Sequence, residues 1–359
     1  MSTWDHLKDF RLLRLNAVTN SVLPVEDEWY RRYGLEPVCL EAGTPTEILA
    51  HAAECDVLFV VSAALPRPVV EGLERCRLIS RLGNGTDKIA VDVATECGIV
   101  VSNVPYFCVE EMSDHIMAMM LSMARQLPAM ARHMVAGTYR DGRDKAVQLP
   151  RLSGQVLGIV GFGATGPEVA RRARAFGLRV LATRKNRNAP RDEADSLGVE
   201  MVDLDTLLQR SDYVSLQLPL TSETYHLIDA AALAKMKEGA YLINTSRGAL
   251  VDEIALAEVL RQGRLAGAGI DTFEDIDIFA ENPQAPDHPL LELDNVVLTP
   301  HVSGLSAQAM EDVARTGVRN AVCVLSGHLP PPENIVNKGV VPRFDLAAYD
   351  DALTGDFQK

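Results

Sequence analysis

The stretch that most limits what this chain can become is Val156-Leu157-Gly158-Ile159-Val160-Gly161-Phe162-Gly163-Ala164-Thr165-Gly166. An apolar run enters a Gly-x-Gly-x-x-Gly turn, the helical pattern Glu168 to Phe176 follows, and a second apolar run, Leu178 to Ala182, comes next. Each glycine has its own physical reason. Gly161 permits the tight turn, Gly163 lets the backbone approach a pyrophosphate, and Gly166 lets helix and strand pack closely. The helix then offers unpaired N–H groups and the positive end of its dipole to the phosphates. A glycine triplet alone is weak, but this strand–turn–helix–strand setting predicts dinucleotide binding. The second strand normally ends in an acidic residue that bonds the adenosine ribose. Thr183-Arg184-Lys185-Asn186-Arg187 stands there instead. Those cations suit a 2′-phosphate, so the expected cofactor is NADP in preference to NAD, with NAD still usable. A solvated basic loop is the competing reading.

The 359 residues suffice for two domains, and 47 % hydrophobic with 23 % charged residues excludes disorder over most of the length. A net charge of −14 argues against general affinity for nucleic acid or anionic membrane, so an anionic substrate needs locally arranged positive groups. No apolar run approaches the ~20 residues of a membrane span. The first ten residues carry Asp5, His6, Lys8 and Asp9 where a secretory signal would be apolar. A cytoplasmic location is therefore expected. The cysteines at 39, 55, 76, 97, 108 and 323 form no Cys-x-x-Cys pair, and read as buried fillers with no metal site.

Two series of short apolar runs alternate with helical patterns, which predicts an α/β protein with two parallel sheets covered on both faces. The first series has strand candidates Leu12 to Leu15, Pro37 to Leu40, Val57 to Val61, Leu78 to Leu82 and Ile99 to Val104. The second has Val156 to Gly161, Leu178 to Ala182, Tyr213 to Leu218, Ala240 to Thr245, Ala266 to Thr272 and Val296 to Thr299. A helical pattern from Val109 to Gly137 joins them. It carries a stripe of Met112, Ile116, Met119, Met120 and Met123, a core or subunit face, and Pro128 is expected to kink or end its first part. Tyr139 to Leu152 reads as a polar linker or arm. Ser306 to Ser326 reads as one amphipathic helix, and the end, with Pro330 to Pro332 and Tyr349 to Lys359, as an extended, partly loose tail.

Two further segments place charged groups just past strand ends, where open α/β sheets bind ligands. They are Asn244-Thr245-Ser246-Arg247-Gly248 and Thr299-Pro300-His301. With these, Arg81-Leu82-Gly83-Asn84-Gly85-Thr86-Asp87, Val104-Pro105, Met112-Ser113-Asp114-His115, the glycine turn and Gly269-Ile270-Asp271-Thr272-Phe273, the chain resembles the D-isomer-specific 2-hydroxyacid dehydrogenases over roughly residues 57 to 337. That family includes phosphoglycerate, glyoxylate and formate dehydrogenases.

The resemblance implies two doubly wound parallel-sheet domains, a Rossmann cofactor domain (105–301) inserted into a flavodoxin-like substrate domain (1–104 with 302–359). A dimerisation segment is implied near 109–150, and with it a homodimer. It further implies hydride transfer between NAD(P)H and a small 2-oxo or 2-hydroxy acid of D configuration. Arg247 would hold the substrate carboxylate together with the backbone around Gly83, Asn84 and Gly85. His301 would be the acid and base, its ordinary pKa lying near working pH. Asp271 would hold the nicotinamide carboxamide. Phe162, Ala164, Thr165, Thr183, Arg184, Lys185, Leu218, Pro219, Thr245, Ser246 and Gly304 would complete the cofactor site.

One departure matters. Relatives place a glutamate five residues after the equivalent of Asp271, where it orients the histidine, and here that residue is Ile276. The stretch Glu274 to Pro283 reads as an inserted loop. Aligned backwards from Asp287-His288-Pro289-Leu290, the carboxylate falls at Glu281, with Glu274 and Asp275 as alternatives. A cofactor-sensing, corepressor-like binding module on the same fold is the reading from another class.

Overall fold

The computed structural model describes residues 4–186, 188–279, 284–352 and 355. The chain divides into two compact units. One holds Met1–Phe107 and Ser306–Lys359, the other Cys108–Ile278 and Gln284–Leu305.

In the first unit β1 (Leu12–Leu15), β2 (Val38–Leu40), β3 (Val57–Val60), β4 (Leu78–Arg81) and β5 (Val100–Ser102) form a parallel sheet in the order β2-β1-β3-β4-β5, the flavodoxin-like arrangement. β1 and β3 are buried along their whole length, because helices cover both faces; β3 therefore reads as a continuous apolar run, and the one charge in β1, Arg14, is paired with Glu26 at 2.8 Å. The helix Ala307–Leu325 packs over the sheet so closely that a Cβ on Gly317 would stand 2.3 Å from a Leu82 methyl. Its N-cap Ser306 accepts from the Ala309 N–H, one of the four donors a helix start leaves orphaned. The tail expectation is corrected as far as 347. Arg343 donates to the carbonyls of Cys97, Leu73 and Glu74 at 2.7, 2.8 and 2.9 Å, tying that segment to the unit. Residues 353–354 and 356–359 lie outside the described residues.

In the second unit β6 (Val156–Val160), β7 (Arg179–Thr183), β8 (Val199–Met201), β9 (Tyr213–Leu216), β10 (Tyr241–Asn244), β11 (Gly267–Ile270) and β12 (Val296–Leu298) form a parallel sheet in the order β12-β11-β10-β9-β6-β7-β8. The order reverses between β6 and β9, so the crevice at the carboxyl ends of those strands is the topological switch point of a Rossmann fold. The edge strand β8 was not foreseen. Its sequence, Val199-Glu200-Met201, has an exposed glutamate at its centre and so writes no apolar run.

The methionine stripe is core. Ile116, Met119, Met120 and Met123 are buried, Met117 joins them and Met112 is half-buried, all on the helix Val109–Ala124. The break after it comes at Gln126, with φ +48°, not at Pro128. Pro128 lies in the first turn of the next helix, Leu127–Val135, where its missing N–H would be unpaired in any case. Tyr139–Val147 is helical, against the reading of a linker. Its polar sequence reported a solvent-facing helix, with only Gly142 buried against His133. No helix among the described residues is long and apolar enough to cross a membrane. Cys55, Cys76, Cys108 and Cys323 are buried as expected of fillers, whereas Cys39 is exposed and Cys97 half-exposed.

Candidate active site

At the carboxyl end of β6, Gly161 has φ +101° and donates to the Thr183 carbonyl at 2.9 Å. A Cβ there would fall 2.1 Å from the Gln217 carbonyl oxygen. Only glycine makes this turn without strain. A Cβ on Gly163 would meet nothing within 4 Å, so this glycine faces open space, while one on Gly166 would stand 2.9 Å from the Phe162 ring. Helix Thr165–Ala175 starts at Ala164 with no side-chain cap, which leaves its first N–H groups to a ligand. The turn thus fits a pyrophosphate. Farther along, Arg184 donates through Nη2 to the carbonyls of Ala189 and Pro190, and its buried Nε has no acceptor among the described residues. Lys185 pairs with Glu223, both exposed. Arg187 lies outside the described residues. Leu218 is half-buried and Pro219 exposed just beyond β9.

Three neighbouring strands carry the groups past their ends. After β10, the buried Asn244 donates through Nδ2 to the Arg247 carbonyl at 2.8 Å and accepts from Ser246 N–H. Ser246 Oγ in turn donates to the Leu216 carbonyl at 2.7 Å, so the turn Thr245-Ser246-Arg247 is fixed from both sides. Gly248 is obligatory next to it, since its Cβ would overlap the Phe273–Glu274 backbone at about 2.0 Å. The main chain links the three strand ends directly. Asp271 N–H donates to the Asn244 carbonyl at 3.0 Å, and His301 N–H to the Asp271 carbonyl at 2.8 Å.

His301 has φ +56°, a left-handed backbone that costs a non-glycine residue of order 1–2 kcal/mol. The offset comes from Asp271, which is fully buried. Its Oδ1 accepts from Val302 N–H at 2.9 Å and its Oδ2 from Ser303 N–H at 3.1 Å. Arg247, His301 and Gly304 are half-buried. Near Arg247, burial and Glu111 push the Cys108 thiol up to about 12, so it stays protonated and is no nucleophile.

Of the carboxylates considered for His301, Glu281 lies outside the described residues. Asp275 is exposed. Glu274 is engaged elsewhere, 2.7 Å from His226 Nε2, and its hydrogen bond with the Tyr225 phenol raises the pKa of that tyrosine. His226 has φ +46° and stacks on Tyr225. Buried Glu253 accepts from His288 Nε2 at 2.9 Å and from Glu274 N–H at 3.3 Å, and burial pushes its carboxyl above the ordinary value.

In the first unit, Gly83 has φ +138°, and a Cβ there would strike the Arg81 guanidinium at 2.5 Å. Arg81 donates to the carbonyls of Leu82 and Gly85, and Asn103 Nδ2 donates to the Asn84 carbonyl at 2.7 Å. The turn Gly83-Asn84-Gly85 is thus held from both sides, with Asn84 exposed. Asn103 and Glu223 were not singled out from the sequence, and neither left a signal there, while Asn244 was read only as the start of the motif around Arg247.

A parallel sheet of this order with a glycine turn at its switch point defines a dinucleotide-binding α/β protein. Residues 117–303 match the profile described as the NAD binding domain of D-isomer specific 2-hydroxyacid dehydrogenase. The chain is 38 % identical over 301 residues to a glyoxylate reductase of Korarchaeum cryptofilum, covering 82 % of this chain and 86 % of that one. It is 37 % identical over 306 residues to a D-3-phosphoglycerate dehydrogenase of Methanocaldococcus jannaschii, covering 84 % of this chain but only 56 % of that one, so the chain spans about half that relative's length. A D-lactate dehydrogenase from Aquifex aeolicus, solved with NAD and lactic acid, superimposes with a TM-score of 0.80 at 26 % identity, covering 91 % of this chain and 99 % of that one. The chain belongs to the D-isomer specific 2-hydroxyacid dehydrogenase family.

Proposed function

We propose that the protein is an NAD(P)-dependent reductase of small 2-oxo acids to D-2-hydroxy acids, acting also in reverse. The observation that carries this reading is the direct main-chain linkage of the Arg247 turn, Asp271 and His301 across three adjacent strand ends. A bound nicotinamide nucleotide supplies the hydride in reduction and takes it in oxidation. Arg247 binds the substrate carboxylate through a charge-assisted contact, and the turn Gly83-Asn84-Gly85 offers backbone N–H groups to the same kind of anion. His301 gives its proton to the carbonyl oxygen as reduction proceeds, and withdraws it from the hydroxyl in oxidation. Asp271 orients the nicotinamide carboxamide, and Glu281 supports the charged form of His301.

The test is initial rates over a panel of 2-oxo acids, from glyoxylate to branched and sugar-derived acids, in the native protein, Arg247→Ala and His301→Ala. Arg247→Ala is expected to lose affinity and turnover together, at about 1.5–3 kcal/mol. His301→Ala is expected to lower mainly kcat, by roughly 10²–10⁴. Native turnover in both variants refutes these roles.

The preferred cofactor in this reading is NADPH, supported by a guanidinium at Arg184 where a carboxylate would favour NADH. A homodimer is supported by the helix Leu127–Val135, which has no buried residue, and by Val135 and Val147, 90 % and 85 % exposed. Beside them an apolar groove of about 420 Å³ is lined by Met130, Met134, Tyr139 and Ala146. Clustered apolar exposure of this kind marks an interface. Location in the cytoplasm accords with this activity.

A further inference from the structure

We infer that His115 is a positioning residue of the dehydrogenase site: through Thr299 it fixes Asp271, and through Asp271 the backbone of His301. The inference rests on the reading of His301 as the proton donor. Thr299 Oγ1 donates to Asp271 Oδ1 at 2.5 Å, and His115 Nε2 lies 3.1 Å from the same Oγ1. A hydroxyl has one hydrogen. Since the carboxylate takes it, the Thr299 oxygen accepts from His115, and Nε2 must carry a proton. The chain of bonds therefore runs from His115 to Thr299 to Asp271, and it ends on a group that grips three consecutive N–H donors. Asp271 takes His301 N–H on its carbonyl, Val302 N–H on Oδ1 and Ser303 N–H on Oδ2. Those bonds hold the left-handed turn at His301. The carbonyl holds its bond whatever the side chain does, but a carboxylate that can rotate cannot hold Val302 N–H and Ser303 N–H at once, and Thr299 with His115 is what stops the rotation of Asp271.

The helix reaches this position through its packing. His115, Met119 and Met123 are spaced by four and lie on one face of the helix Val109–Ala124. Met119 Sδ and Met123 Cε stand 3.1 and 3.3 Å from where a Cβ on Gly269 would be, so the methionines rest on the bare backbone of β11. Four helix residues advance about 6 Å and two strand residues about 6.6 Å. One step from Met119 to His115 therefore matches one step from Gly269 to Asp271. The methionine stripe sets the register that brings the imidazole, 21 % exposed, over the fully buried carboxylate, with Nε2 3.8 Å from Oδ1.

Thr299→Val replaces the hydroxyl by a methyl of similar shape and cuts both bonds. Its kcat for 2-oxo acid reduction is expected to fall about tenfold to a hundredfold, while KM for the 2-oxo acid, held by Arg247, moves less than about threefold. His115→Leu is expected to do the same. Thr299→Ser and His115→Gln, which keep a hydroxyl and an N–H donor, are expected to recover most of the loss. Native kcat in folded Thr299→Val overturns the inference, and so does a Thr299→Ser as slow as Thr299→Val. Imidazole 15N spectra decide independently of turnover. They are expected to show His115 protonated at Nε2 in the native protein, and the His301 resonances displaced in Thr299→Val. A His115 bare at Nε2, or His301 resonances unmoved, overturns the inference. If the native protein reduces no 2-oxo acid while the spectra behave as stated, the functional reading alone falls.

Discussion

Removing the Arg184 guanidinium is expected to abolish a preference for NADPH, and the structure sets the size of the effect. Arg184 is already pinned by Nη2 to the Ala189 and Pro190 carbonyls, so little side-chain entropy remains to be lost on binding a phosphate. A charge-assisted contact of about 1.5–3 kcal/mol then corresponds to roughly ten- to a hundredfold in kcat/KM for NADPH, with little change for NADH. Lys185 contributes less, being 84 % exposed and paired with Glu223. If Lys185 bridges the two, Glu223 lies roughly 6 Å from the 2′-phosphate. In water that is about 0.7 kcal/mol of repulsion per unit of charge. A phosphate charge of ~1.5–2 raises this, and screening at physiological ionic strength about halves it. Glu223→Gln should therefore improve kcat/KM for NADPH about two- to threefold. The assay is kcat/KM for both cofactors at low and high salt in the native protein, Arg184→Ala and Glu223→Gln. The NADPH advantage should shrink as salt rises. A native preference for NADH, unmoved by Arg184→Ala, would show that these cations are only a solvated loop.

Three other outcomes are expected. In Glu281→Gln the falling limb of the pH–rate profile for reduction should move to lower pH, because a neighbouring carboxylate raises the histidine pKa; a fixed limb there, moving in Glu274→Gln or Asp275→Asn instead, refutes the assignment. Glu41 is partly buried, which alone would raise its pKa, yet hydrogen bonds from Val18 N–H, Thr19 N–H and the Thr19 hydroxyl hold it below the ordinary value. Its stabilisation is present above the unfolded pKa of about 4.3 and lost as pH falls through the lower folded value, so Glu41→Gln should cost about 1–2 kcal/mol in urea unfolding at pH 7 and much less near pH 3. Val135→Glu should convert a dimer to a monomer in sedimentation experiments, and an unchanged mass would refute this face as the interface.

The strands were legible because burial on both faces writes a continuous apolar run, as in Val57–Val60 and Val156–Val160. What failed had a weaker imprint. β8 has the exposed Glu200 at its centre, and Tyr139–Val147 buries almost nothing, so no apolar stripe marks it as a helix. Site residues at strand ends were legible for a topological reason: an open parallel sheet collects whatever follows its strands into one crevice. Whereas Asp271 came from the family resemblance, that rule placed Arg247 and His301. It could not find Asn103 beneath Asn84, or Glu223 against Lys185, because both partners come from distant segments. Nor could it show that Met119 and Met123 seat the helix on Gly269, since the methionines and the glycine signal their fit only when packed.

The loop between Glu274 and His288 shows how this site can accommodate a change in length beside its most constrained residues. Glu253, from the helix after the Arg247 turn, holds the near end of the loop through Glu274 N–H and the far end through His288. Asp271 lies before the first anchor, and β12 with His301 lies after the second. Extra residues between the anchors leave both strand ends undisturbed. Closing a longer loop costs little, about 0.6 kcal/mol for each doubling of length. The arginine, aspartate and histidine are fixed by strand order and main-chain hydrogen bonds, which admit no insertion. The supporting carboxylate needs only to reach an imidazole, so it can be carried on the one segment that is free to lengthen. With Glu274 committed to His226 and Ile276 apolar, Glu281 is the carboxylate we propose for His301.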